Sequence, residues 1–366
     1  MEEFESIEAL AQGIKVKLDS SSKKKILALY AFNATGKTRL ANALCEIDSD
    51  NETESNGVKV LCYNAILGDM FKWDNENYIL TFYSNSWIAK LVLEQGLENS
   101  IIDNFKNIVN SNIEPSFNFT KGTITFNIAS GDDSSETNIK ISRGEESMLI
   151  WSIFYTILET AIDALNTDEA NRTTPMFNDL KYVIIDDPVS SIDDTKIITM
   201  AVKLVDSISS SKNSTVKFLI TTHHALFYNV LVNSFKRTDK GNFKSYSLFK
   251  NNQMLKLSKQ DDSPFSYHLS VKELIQNAIQ NNSIERYHFN LFRNLLEKTS
   301  NFLGYNDWTD CIVRDDKQAF IRLLNLYSHS RLSDLESREL SNQDKTLLQE
   351  TFNTFIANFR WNSKIL

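Results

Sequence analysis

The stretch Lys25-Ile-Leu-Ala-Leu-Tyr-Ala-Phe-Asn-Ala-Thr-Gly-Lys-Thr38 decides how the rest of the chain is read. A short apolar strand runs into a loop of small residues, then Gly36-Lys37-Thr38, then a helical pattern from Arg39 to Ile47. Successive backbone N–H groups and a helix N-terminus in that order make a concave, electropositive cradle for a polyphosphate. Lys37 is expected to reach the β- and γ-phosphates, and the Thr38 hydroxyl to ligate Mg²⁺. Ala31, Asn33, Gly36 and Arg39 complete the candidate nucleotide contacts. Ala31 stands where the usual pattern opens on a glycine; alanine resists a positive φ and adds a methyl. A strand, turn and helix that bind nothing would share this pattern, so the reading rests on what lies further along.

The 366 residues allow one large or two ordinary domains, and 42% hydrophobic with 23% charged residues is ordinary for a globular protein. A net charge of −8 gives no global nucleic-acid footprint, so contact with nucleic acid would need a local basic patch. Cys45, Cys62 and Cys311 show neither CxxC spacing nor a paired pattern, which disfavours a zinc site or a disulfide framework and fits a reduced cytoplasm. No run of 18 apolar residues is free of charge, and the acidic start Met1-Glu2-Glu3-Phe4-Glu5 is unlike a secretory signal. A cytoplasmic protein without a membrane segment is expected.

Along the chain, residues 5–12 read as a short helix and Ile14–Leu18 as a strand by its alternation. A polar loop (48–57), a strand (58–64), helices (85–96 and 99–110) and a hairpin around Lys121-Gly122 follow. Ile141-Ser-Arg-Gly-Glu145 then opens a long apolar helix to Leu165. Ser142 ahead of Glu145 is a possible N-cap. The same stretch resembles the signature loop of ATP-binding-cassette proteins, which would turn Ser142, Gly144 and Glu145 toward a nucleotide. Tyr182-Val-Ile-Ile-Asp-Asp187 is a buried strand ending in two carboxylates, where ligands collect in open α/β sheets. Asp186 is expected to hold Mg²⁺ through water and Asp187 to orient or deprotonate the attacking water. Asp187 occupies a place where glutamate is usual, and its shorter reach would slow hydrolysis. Lys217-Phe-Leu-Ile-Thr-Thr-His223 is a further buried strand, and His223 matches the histidine that senses the γ-phosphate in cassette ATPases. Loop, signature, acidic strand and histidine strand in this order specify far more than any one of them.

The expected fold is therefore an α/β P-loop head of ABC-ATPase type, a mixed sheet flanked by helices, over residues 1–262. The 105 positions from Lys37 to Ser142 leave no room for a long coiled coil. Residues 263–366 read as a separate α-helical domain, with helices near 268–281, 285–303, 316–328 and 344–359. Between these parts, residues 235–259 interleave Lys236, Arg237, Lys240, Lys244, Lys250, Lys256 and Lys259 with Phe235, Phe243, Tyr246 and Phe249. Such a stretch could grip a phosphate backbone and stack bases, or be a hairpin with a face of solvated lysines.

Arg293 and Glu297 share one face of the 285–303 helix, and His329 lies 32 residues beyond Glu297. The bland reading is a helix ion pair and a polar residue near a helix end. The sharper one is a metal-free ribonuclease site. Glu297 or His329 would take the proton from a 2′-OH, the other would protonate the leaving 5′-oxygen, and Arg293 would stabilise the phosphorane.

Several blocks together resemble the PrrC-type bacterial anticodon nucleases. They are Asn64-Ala-Ile-Leu-Gly-Asp-Met-Phe-Lys-Trp-Asp-Asn75, Ser142-Arg-Gly-Glu-Glu-Ser147, Ile185-Asp-Asp-Pro-Val-Ser-Ser-Ile-Asp-Asp194 and Thr221-Thr-His-His-Ala-Leu-Phe-Tyr-Asn-Val-Leu231. Phe265-Ser-Tyr-His-Leu269, Ile284-Glu-Arg-Tyr-His-Phe289, Arg293-Asn-Leu-Leu-Glu297 and Tyr327-Ser-His-Ser330 extend the likeness through the tail. The resemblance implies a nucleotide-binding regulator fused to a nuclease whose Arg, Glu and His cut the anticodon loop of tRNA, typically lysine tRNA. Those residues fall on Arg293, Glu297 and His329. It further implies control by ATP or GTP with Mg²⁺, dTTP binding, a type I restriction–modification partner and an antiphage toxin role. A homodimer with nucleotide between Lys37 of one subunit and Ser142 of the other is expected, with a higher even oligomer left open. Asp261 and Asp262 align loosely with an anticodon-contacting loop. The rival readings are a regulatory ATPase that recruits a separate nuclease and a DNA-repair clamp.

Overall fold

The computed structural model describes residues 2–46, 57–64, 67, 70–109, 112–128, 136–189, 192–212, 215–251, 254–260, 267–314, 316–328 and 340–359. It divides into two compact units, Met1–Pro264 and Phe265–Leu366. The domain boundary expected at 262/263 lies outside the described residues, as do most of the 48–57 loop, Ser190, Ser191, Asp261, Asp262 and His329.

In the first unit the chain runs β1 (Glu2–Phe4), α1 (Ile7–Asp19), β2 (Lys25–Ala31), α2 (Lys37–Glu46) and β3 (Val60–Tyr63). Next come β4 (Phe71–Asp74), β5 (Ile79–Phe82), α3 (Trp87–Glu94), α4 (Glu98–Val109), β6 (Ile113–Asn118), β7 (Thr123–Ile128) and β8 (Glu136–Thr137). The unit continues with α5 (Arg143–Asn166), β9 (Tyr182–Asp186), α6 (Asp194–Ser210), β10 (Lys217–Thr222), α7 (Ala225–Thr238), β11 (Phe243–Asn251) and β12 (Met254–Lys259).

One sheet has the order β1-β12-β11-β2-β10-β9-β3. Its β11, β2, β10, β9 and β3 pair in parallel, while β12 and β1 add antiparallel edges. The central strands β2, β9 and β10 are buried at every position, as parallel strands covered on both faces must be. The second sheet, β4-β5-β7-β6 with β8 on β7, is antiparallel. With α3 and α4 it fills the interval between the phosphate loop and Ser142. The hairpin at Gly122 turns through a positive φ of 63°. This is a mixed-sheet α/β head flanked by helices.

The strand expected at Ile14–Leu18 is instead the second half of α1. Ile7, Leu10, Ala11, Ile14 and Leu18 bury one helical face, and Val16, which completed the period-two pattern, is 60% exposed. The longer apolar periodicity prevailed over the shorter one, and Ser6 caps the helix by accepting from the Ala9 N–H.

The long apolar helix α5 would meet a membrane span's length and composition, yet 78% of its apolar window is buried inside the fold. It packs against α4 and α6, with Asn104 donating to Thr156 Oγ1 at 3.1 Å and Tyr155 Oη 2.7 Å from Ser207 Oγ.

A further expectation is overturned in this unit. Cys45, in the last turn of α2, and Cys62, in β3, form a disulfide. Their separation of 17 residues matches no pairing pattern, and they meet because α2 lies across β9 and β3. Of the two readings left open for residues 235–259, a hairpin of β11 and β12 is present, and three of the aromatics are not available to stack on bases. Phe235, Phe243 and Tyr246 are core residues, and the Phe235 and Phe243 rings stack on each other at 5.2 Å. Lys256, on the same hairpin, pairs with Glu3 at 2.8 Å.

The second unit is helical: α8 (Tyr267–Gln280), α9 (Arg286–Leu303), a single turn at Trp308–Cys311, α10 (Lys317–Ser328) and α11 (Asn342–Asn358). Helix α9 ends on Gly304 with φ 75°, a conformation that favours glycine. Phe292 on α9 is the aromatic hub, its ring 5.9 Å from Phe320 of α10 and 5.4 and 5.6 Å from Phe352 and Phe355 of α11. Phe292→Ala therefore costs about 3–5 kcal/mol, read as a lowered urea midpoint for this unit. A loss under about 1 kcal/mol would show that the three helices do not share this core.

Candidate functional site

Parallel register brings the nucleotide motifs together. Thr221 of β10 pairs with Leu29 of β2 on one side and Asp186 of β9 on the other. The C-terminal ends of these strands are therefore level, and the chain leaving each one carries a motif: the phosphate loop after β2, Asp187 after β9, His223 after β10.

The loop after β2 turns through positive φ at Ala34 (63°) and Gly36 (102°). At Gly36 a Cβ would meet Ile7 Cδ1 at 2.7 Å, which the end of that side chain can relieve by shifting, so the positive φ is what favours glycine there. Ala31, the residue in place of the usual glycine, closes β2 in extended conformation with its methyl fully buried. The left-handed demand falls later in the loop, and the substitution carries no strain.

Lys37 Nζ donates to the carbonyls of Ala31 and Phe32, both at 3.1 Å, and lies 3.5 Å from Asn33 Oδ1. Burial holds this ammonium below the usual lysine range against the opposing pull of Asp187 and Asp186. Asp187 Oδ2 is 3.7 Å from Lys37 Nζ and 2.6 Å from His223 Nδ1. Burial would raise the Asp187 carboxyl, but the bond and charge of His223 and the charge of Lys37 outweigh it and keep the group below its ordinary range. Asp187 also has φ 49°, a left-handed conformation that costs about 1–3 kcal/mol and recurs at functional sites. Its N–H donates to the Thr221 carbonyl at 3.0 Å.

Asp186 is buried, accepts from the Thr221 hydroxyl and hydrogen-bonds Thr38. Burial pushes its carboxyl upward against those hydroxyls. A hydroxyl and a carboxylate side by side are hard oxygen donors that fit Mg²⁺, which takes few protein ligands and completes its shell with water and phosphate. Among the described residues no group of three His, Cys, Asp or Glu gathers as a protein-only metal cage. Arg39 is exposed on α2.

Ser142 caps α5. It accepts from the Glu145 N–H at 3.2 Å while Glu145 Oε2 accepts from the Ser142 N–H at 2.7 Å, a reciprocal capping box. Ser142 is exposed and Gly144 sits in the first turn, so this helix N-terminus faces outward with Glu145 committed to the cap.

In the helical unit, Arg293 Nε donates to Glu297 Oε1 at 2.9 Å and Arg293 Nη1 to Asn325 Oδ1 at 2.9 Å. The guanidinium lies 5.2 Å from the centre of the Trp308 ring. One α9 face thus holds Arg293 and Glu297 together, while His329 lies outside the described residues. Asn325 and Trp308 were not singled out in the sequence. Asn325 stands four positions before His329, a helical spacing that could have flagged it.

A family described as AAA domain matches residues 93–357. The curated anticodon nuclease of Escherichia coli is 41% identical over 333 residues, which cover 85% of this chain and 83% of that one. The chain belongs to the anticodon nuclease family. Among solved structures, the Smc head bound to the C-winged helix domain of ScpA aligns with a TM-score of 0.35 at 12% identity, over 66% of this chain and 90% of that one. The SMC head domain from Thermotoga maritima gives 0.31 at 11%, over 66% and 92%. CbiO1 from Clostridium perfringens, part of an ABC transporter complex, gives 0.31 at 10%, over 69% and 82%.

In this anticodon nuclease family member, α9 begins on a capping box that uses a histidine. His288 Nδ1 lies 2.9 Å from the Glu285 N–H, which donates to it in the neutral form, and 3.2 Å from the Glu285 carbonyl, and burial holds His288 down at about 4. The unfolded chain binds a proton near pH 6.5 that the folded chain refuses, so stability is full above that pH and falls as pH drops toward 4. Between pH 7 and 5 the loss amounts to about 2 kcal/mol. Urea unfolding of wild type and His288→Gln at both pH values checks this, because the variant should show a flatter pH response. Equal pH responses would contradict it.

Proposed function

We propose that the protein is a nucleotide-regulated endoribonuclease that cuts tRNA in the anticodon loop, with lysine tRNA as substrate, and serves as an antiphage toxin. What carries the reading is the pairing of Arg293 and Glu297 on one face of α9 in a chain 41% identical to a curated anticodon nuclease. The family name supplies the substrate class, and the side-chain chemistry supplies a route that needs no metal at the RNA.

In this route Glu297 or His329 accepts the proton of a 2′-OH, which attacks the adjacent phosphorus. The other donates a proton to the departing 5′-oxygen, leaving a 2′,3′-cyclic phosphate. The Arg293 guanidinium meets the charge that grows on the phosphorane oxygens. Each proton transfer of this kind contributes about 10²–10⁴-fold.

The head controls when this happens. Lys37, with the N–H groups of the loop through Gly36, Thr38 and Arg39, receives the phosphates of ATP or GTP, and dTTP is a further ligand of the same cradle. Bound Mg²⁺, held by Thr38 and Asp186, would neutralise phosphate charge. Asp187 orients the attacking water, and His223, bonded to it at 2.6 Å, fixes the carboxylate and senses the γ-phosphate. The outward N-terminus at Ser142 and Gly144 meets the nucleotide of a second copy, so that two heads close as a homodimer, with a higher even oligomer compatible with the same contact. A type I restriction–modification complex is the silencing partner, and the cytoplasm, where tRNA resides, is the compartment.

Purified protein incubated with total tRNA, nucleotide and Mg²⁺ should yield fragments ending in the anticodon loop. Arg293→Ala, Glu297→Gln and His329→Ala should each lower the single-turnover rate by at least about 10²-fold. Intact tRNA, or cleavage unchanged in all three variants, would remove the nuclease assignment.

A further inference from the structure

We infer that Asn325 is a positioning residue for the proposed cleavage, setting the Arg293 guanidinium through its Oδ1 with the Trp308 ring as a supporting shelf. The inference rests on the ribonuclease reading and adds residues to it. Arginine has a long, rotamer-rich side chain, and it stabilises a transition state well only if it is already in place when charge develops. The Arg293–Glu297 bond runs between residues of one helix. It fixes the guanidinium relative to α9 alone, and Glu297 is also called on to move a proton. The bond from Arg293 Nη1 to Asn325 Oδ1, 2.9 Å long, crosses from α9 to α10. Helix α10 ends at Ser328, and His329 is the next residue in the chain. The Asn325 contact therefore ties the helix bearing Arg293 and Glu297 to the helix that leads into His329.

The chemistry of the partner suits this task. The Glu297 carboxylate already pairs with the guanidinium at 2.9 Å, so a neutral amide orients it without adding a second negative charge, whereas a carboxylate at 325 would compensate the cation further. Trp308 lies 5.2 Å from the guanidinium and limits its swing on that side by a cation–π contact, again without neutralising it. A shift of about 1 Å in a catalytic group can cost about 10²-fold in rate. Losing the Asn325 bond should therefore slow the chemical step while leaving RNA affinity nearly intact.

The test is a double-mutant cycle on the full-length protein, using single-turnover cleavage of an anticodon stem–loop RNA. Asn325→Ala should lower the rate constant for cleavage by about 10- to 10²-fold with the RNA Kd within about twofold and an unchanged melting temperature. In an Arg293→Ala background the same substitution should have almost no further effect, because the residue acts through Arg293. Trp308→Ala should behave alike, and Trp308→Phe, which keeps a ring, should recover part of the loss. If Asn325→Ala is unstable, Asn325→Leu fills the volume without an acceptor and should give the same result. An Asn325→Ala rate equal to wild type while Arg293→Ala is slow would overturn the inference and leave the nuclease assignment standing. Equal losses from Asn325→Ala in both backgrounds would also overturn it, since a general structural role acts regardless of Arg293. Full cleavage by Arg293→Ala would remove the assignment and the inference together.

Discussion

The head depends on the Asp187 carboxylate. It is half-buried just past the end of β9 and tied to His223 on β10's exit at 2.6 Å, with the Lys37 ammonium 3.7 Å away. Burial alone would raise its carboxyl; with His223 and Lys37 beside it the group stays below its ordinary range. The left-handed backbone at Asp187 is tolerated because the Thr221 carbonyl and the His223 side chain hold it from two directions. Three strands ending level bring these groups to one point, so the parallel order β2-β10-β9 is as much a part of the site as the side chains. A register slip of one residue would turn Asp186 to the other face of the sheet and move Asp187 away from its place beside His223, scattering the cluster.

The helical unit solves a different problem. Its task in the proposed cleavage is to hold the Arg293 guanidinium in one place. One ion pair within α9, one neutral amide from α10 and one indole ring surround the Arg293 guanidinium, and an aromatic core centred on Phe292 holds those helices in place. The buried neutral His288 at the start of α9 is part of the same economy: a charge there would disturb the helix that carries Arg293 and Glu297.

Much of this was legible from residue types and spacing. Gly36-Lys37-Thr38 after an apolar run, paired carboxylates after another, and Arg293 and Glu297 four apart each specify local geometry through short-range rules. Where the reading failed, the deciding contacts lie far apart in sequence. Ile14–Leu18 satisfied both a strand and a helix period, and only burial of the Leu10 and Leu18 face distinguished them. Cys45 and Cys62 pair because a helix happens to cross a strand, which spacing does not reveal. The aromatics at 235, 243 and 246 look alike whether they face solvent or the core until the sheet position is known. Ala31 seemed a defect because the loop's positive φ values were expected one turn too early. Asn325 and Trp308 had no motif of their own and gained meaning from Arg293.

The central claim is that nucleotide in the head governs cleavage by the tail. The most direct measurement is the single-turnover rate of tRNA cleavage with and without nucleotide, in wild type and in Lys37→Ala. The account predicts that nucleotide changes the wild-type rate at least tenfold, on the order of one lost phosphate contact or more, and leaves the Lys37→Ala rate flat. An equal nucleotide response in both proteins, or none in either, would contradict it.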